Sequence, residues 1–272
     1  LIVRRGMHPV RDIARAAGRI SAGQLAERIP EDKVPPELAE LVHAFNAMLG
    51  RLEESFMRLS DFSADIAHEL RTPIHSLRMQ TEVSLGKARN VDEYRELLAS
   101  NLEEYERLSR IIADMLFLAK ADHGLVIPNR DEVELKALCA GLLEYYGLLA
   151  EHLVLALEGE NLKVPGDRLM LQRAIGNLVV NAIQHTPEDG SVTLRIAEEA
   201  GMAVITISNV GNPIPVSALE GIFDRFVRLG TDGEGSGLGL AITRSIVLAH
   251  RGAITAETEG LITAFIIRLP LR

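Results

Sequence analysis

Apolar residues recur at helical spacing through most of the first 124 positions of the chain. Two short amphipathic stretches come first, separated by the segment Ser21 to Pro36, whose glycine and prolines are typical of a loop. The two stretches are marked by Pro9, Val10, Ile13, Ala16, Ala17 and Ile20, and then by Leu38, Leu41, Val42, Phe45, Met48, Leu49 and Leu52. Neither helix can bury its apolar stripe alone, so residues 1–55 are predicted to form two helices and an extended connector that pack together.

A longer helical pattern occupies residues 54 to 124, with a break from Gly86 to Asn90. The positions that recur at steps of three and four are Leu59, Phe62, Ile66, Leu70, Ile74 and Leu77 before the break and Leu98, Asn101 or Leu102, Tyr105, Leu108, Ile112, Met115 and Ala119 after it. This pattern predicts a helical hairpin. Two helices leave apolar seams uncovered, so we expect a second copy to complete a four-helix bundle in a homodimer.

The period changes beyond Gly124. Short β-branched or alternating runs now alternate with helical stretches near 136–150, 167–186 and 237–250. The predicted strands are Val192–Ile196, Ala203–Ser208, Ala253–Thr258 and Ile262–Arg268. The whole pattern predicts a multidomain protein in which helical segments 1–55 and 56–124 precede an α/β sandwich, residues 126–272, with one mixed sheet backed by helices.

Composition and charge narrow the class of protein. The net charge of -9 disfavours a nucleic-acid-binding surface. Cys139 is the single cysteine, so the chain cannot form an internal disulfide, and this indicates a reducing, cytoplasmic setting. No apolar run approaches the roughly 18 residues that span a bilayer. However, Leu1-Ile2-Val3 followed by Arg4-Arg5 is typical of the clipped end of a transmembrane helix, so we expect a membrane anchor before residue 1.

Candidate nucleophilic chemistry lies in the first long helix. His68 and Thr72 are one turn apart on one face, Glu69 adjoins His68, and Pro73 removes a hydrogen bond to the Glu69 carbonyl and should bend the helix. A carboxylate that holds one ring N–H leaves the other imidazole nitrogen a neutral nucleophile, which suits attack on a phosphoryl group. His75 lies two turns further on, but no carboxylate or thiol completes a metal site with it.

The string His68-Glu-Leu-Arg-Thr-Pro73 resembles the H-box of sensor histidine kinases. The resemblance implies that His68 is autophosphorylated, that Glu69 is its acid/base partner and that Thr72 acts in dephosphorylating a response regulator. Residues 1–55 resemble a HAMP domain, the helical relay of transmembrane receptors.

Asn177 and Asn181 are four residues apart on a mostly apolar helix, so both carboxamides project from one face. Their oxygens are hard ligands that can hold Mg²⁺. The segment resembles the N-box of the GHKL ATP-binding fold, which implies that Asn181 binds Mg²⁺ and that Asn177 supports the nucleotide site. Gln184 departs from the lysine or arginine that is common there, so we expect His185 to take over part of that role.

Asn209-Val-Gly211-Asn-Pro213 resembles the G1 box, with asparagine in place of aspartate and proline in place of the second glycine. The Asn209 carbonyl can still accept a hydrogen bond from the adenine amino group. This variant is similar to the heavy-metal sensor branch of these kinases. Phe223-Asp-Arg225-Phe-Val-Arg228 resembles the F-box, from which Arg225 and Arg228 can reach phosphates.

Five glycines fall within ten residues and open directly onto a helix at Gly239-Leu240. They are Gly230, Gly233, Gly235, Gly237 and Gly239. Glycine permits close backbone approach, and a helix N-terminus favours anions, so this segment is predicted to cradle phosphate as the lid of an ATP site. It is neither a P-loop nor a Rossmann site, because it lacks the lysine of the first and the preceding strand of the second.

These features together predict a sensor histidine kinase fragment that uses ATP and Mg²⁺, phosphorylates His68 and passes the phosphoryl group to an aspartate of a response regulator, for which it is also a phosphatase. Two alternatives remain open. A catalytically silent signalling scaffold is suggested by Asn209, Pro213 and Gln184. A GHKL-type ATPase would share the nucleotide boxes but would have no use for the cluster around His68.

Overall fold

The computed structural model of the protein describes residues 26–30, 34, 36–86, 90–122, 125, 127–229 and 236–272. It comprises two compact units, divided at Ser76 and Leu77 within the first helix. The first predicted amphipathic stretch and the expected membrane anchor lie outside the described residues. Within the described ranges, no helix is both long and apolar enough to cross a membrane.

The first unit contains most of helix α1, Pro36–Leu85, and part of the connector that precedes it. The Ile29 N–H donates to Asn46 Oδ1 at 3.0 Å, and Asn46 Nδ2 donates back to the Ile29 carbonyl at 2.9 Å. Arg28 forms an ion pair with Glu53 at 2.5 Å. The described residues 26–30 of the connector are therefore fixed along α1.

Helix α2, Val91–Asp122, follows the predicted break. Its start is a capping box, because Asn90 Oδ1 accepts from the Glu93 N–H at 2.8 Å and the Asn90 N–H donates to the Glu93 carboxylate at 3.0 Å. Ile111, Met115 and Leu118 are buried at steps of four and three, whereas other apolar positions of the helix remain exposed. The exposed set comprises Val91, Tyr94, Leu98, Leu102, Tyr105, Ile112 and Leu116.

The α/β part of the second unit begins at Asp131. Its elements are β1 Asp131–Glu134, α3 Leu135–Gly147, β2 Val154–Gly159, β3 Lys163–Gly166, α4 Arg168–Gln184, β4 Ser191–Glu199, β5 Met202–Val210, α5 Gly239–Ala249, β6 Ala253–Glu259 and β7 Ile262–Pro270. Short 3₁₀ turns at Val216–Ala218 and Gly221–Phe223 lie between β5 and α5.

Five of these strands form the main sheet, in the order β2-β4-β5-β7-β6. β2 pairs parallel with β4 and the other neighbours are antiparallel, so the predicted mixed sheet is confirmed. Strands β1 and β3 form a separate antiparallel pair, and neither these two strands nor β2 were predicted from the sequence pattern. The predicted order, a helical region followed by an α/β domain, is likewise confirmed.

The core lies between this sheet and helices α3, α4 and α5. Alternate residues of β4 and β5, such as Leu194 and Ile207, are fully buried on the covered face, as the period of a half-buried strand requires. Leu171, Ile175 and Leu178 of α4 are buried against them. The opposite face of α4 is left to carry polar side chains.

Candidate functional site

The phosphoacceptor candidate lies on α1 in the first unit. His68 and Thr72 are exposed and Glu69 is half-buried, while Pro73, inside the helix, is buried. No hydrogen bond joins the His68 and Glu69 side chains, both of which the structure describes. The imidazole is therefore open to an incoming group, as a nucleophile must be.

A cleft of about 1160 Å³ lies in the second unit, bounded by α2, α4, the start of α5 and the sheet. It brings together eight of the site residues predicted from the sequence, which are Asn177, Asn181, His185, Asn209, Arg228, Gly237, Gly239 and Leu240. Gln184 and Pro213, the two departures from the family pattern, line it as well. The predicted Gly235 lies outside the described residues.

Helix α4 is fixed at its start, which sets the direction of its asparagines. Asp167 is the N-cap, and its carboxylate accepts from the Met170 N–H at 3.0 Å. The Asp167 N–H in turn donates to Nε2 of the buried His250 at 3.0 Å. Nδ1 of His250 lies 2.8 Å from the Ile246 carbonyl, to which it donates, so the neutral tautomer is defined.

The two asparagines of α4 have different surroundings. Asn177 Nδ2 donates to the Gly239 carbonyl at 3.0 Å, which ties α4 to the first residue of α5. The Asn181 side chain makes no hydrogen bond to any residue that the structure describes. Its carboxamide oxygen is therefore available in the cleft, and an amide oxygen is the ligand type that Mg²⁺ accepts.

Asn209 lies on β5 at the base of the cleft and is buried. Its Nδ2 donates to the His185 carbonyl at 3.4 Å, which leaves Oδ1 as an acceptor. In this orientation the amide offers an acceptor to an amino group, the interaction expected of the G1 residue.

The glycine segment and the F-box residues are joined by a backbone hydrogen bond. The Phe226 N–H donates to the Gly237 carbonyl at 2.9 Å, and Gly237 has a φ of +68°. A Cβ at Gly237 would lie 2.8 Å from the Phe226 backbone, so glycine is required there. The predicted Gly211 does not line the cleft, and its N–H donates to the Leu261 carbonyl at 2.8 Å.

The two F-box arginines diverge. Arg228 lines the cleft, whereas Arg225 forms an ion pair with Asp122 at the end of α2, at 2.5 Å. The structure therefore brings one of the two predicted phosphate contacts to the cleft. Arg225 instead joins α2 to the α/β domain.

Several cleft residues were missed by the sequence reasoning. Thr263 on β7 pairs in register with Asn209 and is buried, and its Oγ1 has no hydrogen-bond partner among the described residues. Phe265 lies two residues further on the same strand. The alternation of β7 predicted that Thr263 and Phe265 share a face, but not that this face meets Asn209.

Helix α2 supplies a wall of the cleft that the sequence reasoning also missed. Arg107, Arg110 and Asp114 line it. Burial raises the pKa of the Asp114 carboxyl above its usual value, although the Arg173 and Arg110 guanidinium groups oppose this shift. The charged side chains Arg107, Arg110 and Asp114 of α2 therefore contribute to the electrostatic potential in the cleft.

Comparison with known proteins gives matches in three consecutive segments. Residues 166–272 match the family described as histidine kinase-, DNA gyrase B- and HSP90-like ATPases. Residues 58–124 match the His Kinase A phospho-acceptor domain, and residues 1–54 match the HAMP domain.

Similarity to curated proteins over most of this chain points in the same direction. Sensor histidine kinase CusS of Escherichia coli strain K12 is 40% identical over 276 residues, covering 99% of this chain and 58% of that protein. Sensor protein CopS of Pseudomonas syringae pv. tomato is 46% identical over 230 residues, covering 84% of this chain and 47% of that protein. The chain thus spans about half the length of these relatives.

A solved structure supports the fold. The crystal structure of histidine kinase ThkA in complex with response regulator protein TrrA matches with a TM-score of 0.66 at 24% identity, covering 80% of this chain and 64% of that one. The helices and the α/β domain therefore share the architecture of that protein.

Proposed function

The chain belongs to the sensor histidine kinases, and from that premise we propose that it binds ATP with Mg²⁺ in the cleft of the second unit and phosphorylates its own His68. The observation that carries the proposal is the convergence of Asn181, Asn209 and the start of α5 on one cleft. A hydrogen-bonding base pocket, an oxygen ligand and a helix N-terminus are the three parts that a bound nucleoside triphosphate requires.

We place the adenine against Asn209 and Thr263. Asn209 Oδ1 can accept from the adenine amino group, and the buried Thr263 hydroxyl has no partner among the described residues, so it can bind the base directly or through a water molecule. The phosphates then extend toward Gly237 and the N-terminus of α5, where backbone N–H groups and the helix dipole favour negative charge.

The donor set of the cleft fits Mg²⁺. The described residues contain no cluster of three or more His, Cys, Asp or Glu side chains that could enclose a metal ion. Mg²⁺ bound to nucleotides keeps most of its water and phosphate ligands and takes few from the protein, so the single oxygen of Asn181 is sufficient. When bound, the ion neutralises phosphate charge.

In the proposed reaction an unprotonated nitrogen of His68 attacks the γ-phosphorus of ATP. The bond from that phosphorus to the β,γ-bridging oxygen breaks, and ADP leaves with the electron pair. The remaining ring N–H proton passes to the Glu69 carboxylate, so a neutral phosphohistidine is left. Positioning and charge neutralisation supply most of the rate in such transfers.

The phosphohistidine then donates its phosphoryl group to an aspartate carboxylate of a response regulator. We propose that Thr72, one turn from His68 and exposed, positions the water that later hydrolyses the regulator's acyl phosphate. The chain would thus work both as a kinase and as a phosphatase toward that partner.

We further propose that residues 1–55, 56–124 and 126–272 act as relay, phosphoacceptor and catalytic domains of a bacterial inner-membrane sensor, anchored before residue 1 and facing the cytoplasm. The Asn209-x-Gly211 variant supports the proposal that the sensor belongs to the heavy-metal branch. No role in nucleic-acid binding is proposed, since the net charge is -9.

A homodimer completes the helical part of this proposal. The exposed apolar residues of α2 include Leu98 and Leu102, and the buried oxygens Gln80 Oε1 and Asn101 Oδ1 lack partners among the described residues. A second hairpin would cover these seams in a four-helix bundle.

Light scattering tests the dimer. The wild type should have twice the monomer mass, and the double variant Leu98→Glu/Leu102→Glu should have the monomer mass. The control Leu148→Glu, which changes an exposed apolar site on the α/β domain, should stay dimeric. A monomeric wild type would contradict this part.

Incubation with γ-labelled ATP separates the proposed kinase from its two alternatives. We expect acid-labile, alkali-stable label on the protein that depends on Mg²⁺. ATP hydrolysis without labelled protein would instead support an ATPase, and absence of nucleotide binding would support a silent scaffold.

The ligand role of Asn181 has its own test in the same assay. Asn181→Ala should abolish Mg²⁺-dependent labelling and leave the dimer intact, because it removes one oxygen ligand and no hydrogen bond to a described residue. Asn161→Ala, an exposed asparagine outside the cleft, should label like the wild type. Unchanged labelling of Asn181→Ala would refute the ligand role.

A further inference from the structure

Helix α2 is linked to the α/β domain by a chain of charged side chains. Asp114 of α2 forms an ion pair with Arg173 of α4, and the Arg173 guanidinium also lies over the Phe117 ring, 4.5 Å from its centroid. Arg110, one turn before Asp114 on α2, interacts electrostatically with the same carboxylate. Asp114 is thus shared between two cations, one on each helix.

This chain of charges lies at one identifiable end of the cleft. Arg173 is one turn before Asn177 on α4, and Asn177 Nδ2 bonds to the carbonyl of Gly239, the first residue of α5. Helix α2 also packs directly against α5. Arg110 and Asp114, which both line the cleft, therefore lie near the α5 N-terminus, where the phosphates are placed.

Besides α2, the described walls of the cleft offer the phosphates a single lysine or arginine, Arg228. The α4 residues that line the cleft include asparagine and glutamine, but no lysine or arginine. Of the α2 arginines, Arg107 forms an ion pair with Glu104 at 3.4 Å, on its own helix. Arg110 is exposed at the mouth of the cleft, and its side chain is long enough to move between Asp114 and a ligand.

We propose that Arg110 is a nucleotide-binding residue whose guanidinium binds the terminal phosphates of ATP. The α/β domain holds the ATP in the cleft, and α2 contributes Arg110 while it is packed against that domain. The inference rests on the proposed function, since it requires that the cleft binds ATP. It assigns to the phosphoacceptor hairpin a direct part in nucleotide binding. ATP would then strengthen the packing of α2 on the domain, because the polyphosphate contacts both.

The test compares ligands that differ only in phosphate number, using the 272-residue chain and titration calorimetry with MgATP, MgADP and adenosine. Arg110→Gln should weaken MgATP binding about tenfold and MgADP binding less, and it should leave adenosine binding unchanged. Arg110→Lys, which keeps the charge, should bind MgATP within about threefold of the wild type. The control is Arg95→Gln, an exposed α2 arginine paired with Asp92 and outside the cleft, which should bind all three ligands like the wild type.

The outcomes separate the inference from the proposed function. A wild type that binds MgATP, with Arg110→Gln equally tight, would overturn the inference alone. An equal loss for adenosine and MgATP would also overturn it, because a structural effect through Asp114 does not depend on phosphate number. A wild type that binds no MgATP would overturn the proposed function and this inference with it.

Discussion

Thr263 gives a prediction in which stability and ligand binding move in opposite directions. Its hydroxyl is buried at the base of the cleft without a hydrogen-bond partner among the described residues, which costs the folded state about 1–3 kcal/mol. Thr263→Val replaces the hydroxyl by a methyl group of similar size. We therefore expect a gain of about 1–3 kcal/mol in the free energy of unfolding, with a rise of about 2–4 °C in Tm for each kcal/mol.

Nucleotide affinity should fall in the same variant. If the hydroxyl bonds to the adenine or to a bridging water, its loss removes about 1 kcal/mol of binding free energy, or about fivefold in Kd for both ATP and adenosine. Thermal unfolding without ligand and calorimetric titration with adenosine measure the two quantities independently.

Thr258 supplies the matched control. It pairs in register with Thr263 on the adjacent strand β6, and its Oγ1 also lacks a partner among the described residues, but it does not line the cleft. Thr258→Val should be stabilised to a similar extent and should bind adenosine like the wild type. A Thr263→Val protein that is destabilised, or that binds adenosine as tightly as the wild type, would refute the reasoning.

Three further predictions concern the domain that holds the cleft. His250→Ala removes the acceptor of the Asp167 N–H and should lower the free energy of unfolding by about 3 kcal/mol in urea titrations; an unchanged midpoint would contradict this. Burial raises the pKa of the Cys139 thiol from 9.0 to about 12. The unfolded thiol therefore ionises first as the pH rises, so stability should fall by about 1.4 kcal/mol per pH unit above 9.0, a slope that Cys139→Ala should lack. Gly237→Ala would bring a Cβ to within 2.8 Å of the Phe226 backbone at a φ of +68°. The free energy of ATP binding measured by calorimetry should therefore weaken by about 1–3 kcal/mol. Wild-type affinity in this variant would show that the glycine is dispensable.

Local patterns were sufficient to predict the element that carries the central site residues. The apolar period of α4 and the spacing of Asn177 and Asn181 placed both carboxamides on one face, and both line the cleft. The same reasoning predicted helix α5 directly after the glycine cluster. These features depend on contacts within a few residues, which sequence periodicity reports directly.

Strands β1 and β3 were not predicted because their sequences carry little of the apolar alternation that marks a strand. β1 reads Asp131-Glu-Val-Glu134, so only Val133 provides an apolar signal, and β3 contains Pro165 and Gly166. Each strand is stabilised by pairing with the other across the chain rather than by its own pattern. Short, polar strands of this kind lack the alternation on which strand prediction depends.

The missed site residues depend on long-range geometry. Thr263 meets Asn209 only because β5 and β7 pair in a particular register. Arg110 and Asp114 enter the cleft only because α2 packs against the α/β domain. The same packing explains Arg225, predicted to bind phosphate but paired in the structure with Asp122; its role in phosphate binding stays a prediction.

The central claim is that ATP phosphorylates the chain on His68. Its most direct test is incubation with γ-labelled ATP and Mg²⁺, comparing His68→Gln with His75→Gln, which removes an exposed histidine two turns further along the same helix. The account predicts acid-labile, alkali-stable label on the wild type and on His75→Gln, and none on His68→Gln. Label that persists on His68→Gln would contradict it.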